Sequence, residues 1–124
     1  MVCKTNKHRK DLLFNYIMFK DAVDRIVSKL DRKKYDGIYA IPRGGWILGV
    51  FLSHKLKLNM ISKVRTQGIL IVDDICDTGE TLLQFPNNDK VTLVVKDKGL
   101  ETIPKVIYDI KVSDDTWVDF FWEV

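Results

Sequence analysis

Residues 69–82 read ILIVDDICDTGETL. Aliphatic residues without a helical period, closed by two adjacent acids, describe a strand buried on both faces that turns polar as it leaves the core. In open α/β sheets ligands bind beyond the carboxyl ends of the strands, so Asp73 and Asp74 fall at the functional edge. Two carboxylates there can accept hydrogen bonds from a vicinal diol, or hold a divalent cation through oxygen or its water shell. The DTGET that follows, Asp77 to Thr81, can curl so that backbone N–H groups point inward. Gly79 permits a conformation costly to other residues, and Thr78 and Thr81 add hydroxyls. A sugar phosphate fits both halves, its diol on the acids and its phosphate in the loop. Singly, these residues are ordinary turn and cap residues; the whole string behind a buried strand points to a ligand. No GxxxxGK[ST] phosphate loop competes with it.

Working outward, DAVDRIVSKL sets Val23, Ile26, Val27 and Leu30 at helical spacing. DGIYAI is a short strand ended by Pro42 and the pair Gly44 and Gly45, and WILGVFLSHKL is an apolar segment of helix length with basic residues at its end. TLLQF has room only for a short helix before Pro86, and KVTLVVK and KVIYDIKV are further strands with GLETIP between them. Strands interleaved with helices predict an α/β fold with a mostly parallel sheet flanked by helices.

At 124 residues the chain has room for one domain, 1–124, and not for two. Its 46% hydrophobic and 30% charged residues are ordinary for a globular protein. No apolar run suggests a membrane span, and MVCKTNKHRKD lacks the apolar stretch of a secretory signal. Cys3 and Cys76 have no metal-ligand spacing and read as free thiols. Lys4, Lys7, Arg9 and Lys10 supply much of the net charge of +3; without aromatics or a reading helix beside them they describe a solvated end, not a nucleic-acid surface.

ILIVDDICDTGET resembles the phosphoribosyl diphosphate (PRPP) signature of the type I phosphoribosyltransferases, and GIYAIPRGGWILG resembles the diphosphate loop of their xanthine-guanine and hypoxanthine branch. VVKDKG followed by DDTWVDFFWE is similar to the purine-recognition end of the xanthine-guanine enzymes. The resemblance implies a Rossmann-like core and transfer of a 5-phosphoribosyl group from PRPP to a 6-oxopurine, with release of diphosphate. Implied roles are the ribose and Mg2+ for Asp73 and Asp74, and the 5-phosphate for Asp77, Thr78, Gly79, Glu80 and Thr81. Arg43, Gly44 and Gly45 take the diphosphate, with a cis peptide expected at Arg43-Gly44. Asp77 handles the proton of the base, and Lys96, Trp117 and the Val118 carbonyl read the purine; Lys96 as a solvated strand end and Trp117 with Trp122 as core residues are the other readings. A cytoplasmic homo-oligomer, dimer or tetramer, binding no nucleic acid, is implied as well.

The chain departs from the family in one place. KLKLNMISKVRTQGILIVDD leaves only a short connector, residues 62–67, where active members carry a long flexible lid. Lys63 and Arg65 are the cations available there to replace the lid's contacts to diphosphate. The short connector also admits a second function, a non-catalytic PRPP- or nucleotide-binding regulatory module.

Overall fold

The computed structural model describes residues 10–123; the cluster at Lys4, Lys7 and Arg9 and the thiol of Cys3 lie outside them. The elements run β1 (Lys10–Phe14), α1 (Tyr16–Ser28), β2 (Gly37–Ala40), α2 (Trp46–Leu56), β3 (Ile69–Cys76), β4 (Lys90–Lys96), α3 (Asp97–Thr102), β5 (Ile107–Val112) and β6 (Thr116–Phe120). Four strands form one parallel sheet in the order β2-β3-β4-β5, and β1 and β6 pair in parallel as a separate ribbon. The parallel α/β architecture predicted from the alternating pattern is present. The ribbon is additional to that pattern, and short 3-10 turns occupy Arg32–Lys34 and Leu82–Gln84.

Two apolar clusters cover the two faces of the sheet. Leu70 and Val72 of β3 point into the larger one, with Phe19, Ile26, Leu48, Leu52 and Leu93. Ile69 and Ile71 point the other way, toward Leu82, Val95, Ile103 and Val106. Alternation between two buried faces is why this strand reads as continuous aliphatic sequence. Helix α1 begins where the Asn15 side chain accepts the Met18 N–H at 2.9 Å, earlier than its apolar spacing alone marks. Phe19, fully buried, meets Phe51, Phe121 and Trp122 ring to ring at 4.8, 5.6 and 5.6 Å, which fastens α2 and the chain's end to α1. No helix among the described residues is long and apolar enough to cross a membrane.

Candidate active site

The carboxyl ends of β2, β3 and β4 share one edge of the sheet. After β2, the Ile41 N–H donates to the Val72 carbonyl at 2.8 Å and the Ile41 carbonyl accepts the Gly45 N–H at 2.9 Å, so the chain reverses in residues 41–45. A cis peptide lies in this loop at Pro42-Arg43, one bond before the expected Arg43-Gly44. Both ends of the reversal are held at Ile41 and Gly45, and the Arg43 carbonyl already accepts the Trp46 N–H at 3.1 Å, which commits the second half of the loop to entering α2. The two glycines let this loop lie against β3. A Cβ on Gly44 would come within 2.7 Å of the Asp74 carboxyl carbon, and one on Gly45 would run into the Val72 carbonyl oxygen.

Asp73 and Asp74 follow the buried run 69–72 within β3, which continues past the point where the aliphatic run stops to a buried Cys76, and the two acids are themselves half-buried. The Asp74 N–H donates to Asp73 Oδ1 and the Ile75 N–H to Asp74 Oδ1, each at 2.8 Å, which orients both side chains locally. Burial, and then the neighbouring Asp74 carboxylate, push the Asp73 carboxyl up to about 8. The pair is therefore short of positive charge. Hard oxygen donors, two in number and half-buried, suit Mg2+, which keeps several waters and needs one or two protein carboxylates beside substrate oxygens. No group of three or more His, Cys, Asp or Glu among the described residues offers a closed protein cage instead.

Beyond β3 the chain curls along α3, with Cys76 and Asp77 against Gly99 and Gly79 against Thr102. Gly79 has φ +88°, and a Cβ there would meet Thr102 Cβ at 2.7 Å. The backbone N–H groups of Thr78, Gly79 and Thr81 have no acceptor among the described residues, while that of Glu80 makes a long 3.4 Å contact to Thr78 Oγ1. Loop 76–82 thus walls a hollow of ≈ 210 Å³ that adjoins Asp73 and Asp74. Gly99 of α3, given no role by the sequence reading, makes this possible, since a Cβ there would lie 2.8 Å from Cys76 Sγ and 2.9 Å from the Asp77 carbonyl. Cys76 is a buried free thiol, and burial followed by the charges of Asp73 and Asp77 raises it to about 11, well above a reactive range.

The Arg43 loop, Asp73, Asp74 and Thr81 line a larger cleft of ≈ 870 Å³. At the end of β4, Lys96 Nζ lies 3.5 Å from Asp77 Oδ1. Trp117 and Val118 stand apart from both hollows. Trp117 is half-exposed on β6 with its indole N–H on Asp119 Oδ1 at 2.9 Å, and the Val118 side chain is buried in the larger core. The aromatic walls of the cleft are Trp46 and Trp122 instead, with Glu123 beside them. Trp122 stacks on Phe120 at 4.7 Å and 13°, so it serves core and cleft together. A helix start and a chain end carry no local signal that they face the same hollow.

The connector lies at the opposite end of the sheet. The Asp36 N–H donates to the Gly68 carbonyl at 2.8 Å, and Asn88 Nδ2 donates to the carbonyls of Thr66 and Ile69 at 2.9 Å, pinning residues 66–69 to the amino ends of β2 and β3. Lys63 and Arg65 accordingly line a hollow with Asp36 and Ile69, away from the Asp73 edge, so they do not stand in for the lid.

No family model matches the chain. The xanthine-guanine phosphoribosyltransferase of Idiomarina loihiensis is 26% identical, over 77% of this chain and 76% of that protein. In sequence and fold the chain is similar to the type I phosphoribosyltransferases. Two solved phosphoribosyltransferase structures share its fold at a TM-score of 0.73 and 23% identity: a purine enzyme from Pyrococcus horikoshii, matched over 92% of this chain and 95% of that one, and the xanthine-guanine-hypoxanthine enzyme of Helicobacter pylori, over 94% and 95%. The parallel α/β core of this chain carries ILIVDDICDTGET on β3, an inner strand of its four-stranded sheet, and in the loop after it.

Proposed function

We propose that the protein transfers the 5-phosphoribosyl group of PRPP to a 6-oxopurine, guanine, xanthine or hypoxanthine, and releases diphosphate. The observation that carries this reading is the contact of Gly44 with the Asp74 carboxylate, which joins the diphosphate loop to the PRPP strand in one cleft. The names of the three relatives above, each a purine enzyme, support the choice of base.

In this reading the open N–H groups of loop 77–81 take the 5-phosphate, and Asp73 and Asp74 accept hydrogen bonds from the ribose hydroxyls. Arg43 and the Gly44 backbone hold the diphosphate. Mg2+, when bound at the two acids, supplies charge neutralisation for the departing diphosphate. The purine nitrogen forms a bond to C1′ as the bond from C1′ to the diphosphate oxygen breaks, and the proton of the base passes to Asp77. Lys96 donates to the purine 6-oxo group once a substrate separates it from Asp77.

The position of the connector favours a second reading, a PRPP- or nucleotide-binding regulatory module, because nothing at residues 62–67 reaches the cleft to exclude water. One assay separates the two: diphosphate release from PRPP and Mg2+ with each purine in turn. Release dependent on a 6-oxopurine supports the enzyme, and PRPP binding without release for any base supports the module.

A further inference from the structure

Between the turn Leu82–Gln84, loop 86–89 and the end of α3 lies a separate cleft of ≈ 490 Å³, to which the mechanism above gives no role. Lys90 opens β4 opposite Ile71, and paired residues of neighbouring strands project to the same face. The Lys90 stem therefore runs on the Ile71, Leu82 and Ile103 side of the sheet, where this cleft opens. Lys90 is 9% exposed, and its ammonium donates one hydrogen bond, to the neutral Asn88 carbonyl at 2.8 Å. The one carboxylate of the lining, Asp89, already accepts the Tyr35 hydroxyl at 2.7 Å and faces Lys34 Nζ at 3.1 Å. Lys105 of the same lining is exposed and has no ion pair among the described residues. A cation buried against a neutral acceptor is costly until a counter-charge arrives. Burial holds the Lys90 pKa below the ordinary lysine value even with Asp89 nearby.

The remaining walls, Leu83, Pro86, Ile103 and Pro104, are apolar, and Leu83 is 52% exposed. We propose that this cleft is a second ligand site, which takes a small molecule joining a carboxylate or phosphate to an apolar ring-sized body. Its volume lies in the ordinary range for such ligands. Occupancy also bears on the neighbouring loop, because Leu82 lines this cleft and the 76–82 hollow alike, and Thr102, in the lining here, supports Gly79. That consequence, a changed PRPP affinity, rests on the proposed function; binding at the cleft does not.

The test is an amide-resolved NMR titration with benzoate, phenyl phosphate and inorganic phosphate, which separates the two anion sources and the role of the apolar body. Saturable shifts at Leu83, Asn87 and Lys105 are expected, with phenyl phosphate tighter than inorganic phosphate. Lys90→Met is expected to weaken binding by roughly tenfold or more, the size of a lost charge-assisted hydrogen bond. Lys105→Ala, at an exposed position, also weakens it and serves if Lys90→Met does not fold. Shifts confined to Thr78, Gly79 and Thr81, or affinities unchanged in both variants, would overturn the site. With the cleft saturated by benzoate, PRPP affinity by calorimetry is expected to change at least about fivefold, the lower bound of ordinary coupling between sites and beyond the scatter by which independent sites add. An unchanged affinity overturns the coupling. Failure of PRPP to bind at all tells against the proposed function instead.

Discussion

Lys96 and Asp77 form an ion pair, Nζ to Oδ1 at 3.5 Å, in which the lysine side chain is 11% exposed and the carboxylate 62%. The two residues come from the ends of neighbouring strands, and the pair bridges loop 77–81 to β4. A pair with one partner so open to water is worth about 1 kcal/mol or less. A substrate can separate it at little cost.

The two halves of this pair should fail differently. Asp77→Asn is expected to leave PRPP affinity nearly intact and to lower purine transfer by roughly 10² to 10⁴-fold, the range of general acid–base catalysis. Lys96→Met should act mainly on purine KM. Steady-state kinetics with varied purine, beside calorimetry of PRPP, reads both; equal losses of PRPP binding in the two variants would contradict the roles.

Gly79→Val should abolish PRPP binding while the fold survives. Its φ of +88° and the Thr102 side chain below leave no place for a branched residue, so the loop must shift. Backbone strain of this kind costs on the order of 1 to 3 kcal/mol. Undiminished PRPP affinity in a folded Gly79→Val protein would remove the phosphate from this loop.

The raised Asp73 carboxyl sets a pH dependence of stability. Its folded value of about 8 stands above the unfolded 3.8, so between those values the folded state holds a proton that the unfolded chain has lost. The contribution is fully present below the unfolded value and is lost as pH rises through the folded one. Urea midpoints of the ligand-free protein should fall from about pH 5 to pH 8, and Asp73→Asn should flatten the trend. A midpoint that climbs over that interval in the parent protein but not in Asp73→Asn would show the opposite sign.

Because the connector leaves the cleft uncovered, hydrolysis of PRPP should compete with transfer. Chromatography of labelled PRPP products counts ribose 5-phosphate against nucleotide in one run. Clean transfer without hydrolysis would require some other group to cover the site.

Phe19→Ala tests the packing that brings Trp122 to the cleft. Loss of a fully buried ring in contact with Phe51, Phe121 and Trp122 should cost about 3 to 5 kcal/mol by denaturant unfolding. A loss under about 1 kcal/mol would show that the cluster repacks.

The string ILIVDDICDTGET marked by itself a buried strand, paired acids beyond its aliphatic run and a tight glycine loop, because strand burial, polarity and glycine freedom are local properties of the chain. The strand, however, continues through the acids to Cys76, where pairing with β4 carries it on. The contact of Gly44 with Asp74 was legible only as two motifs at the ends of adjacent strands. Other features rest on contacts between distant segments, which no local pattern encodes. KDLLF and TWVDF pair from opposite ends of the chain, and each alone is a five-residue strand with no marked partner. Trp122 lines the cleft while Trp117 does not, because the Phe120 and Phe19 rings hold one indole and Asp119 holds the other. The length of the connector was plain in the sequence; it lies at the amino end because it leads into parallel strand β3, and the hydrogen bonds of Asn88 and Asp36 that fasten it there exist only once β2, β3 and β4 are side by side.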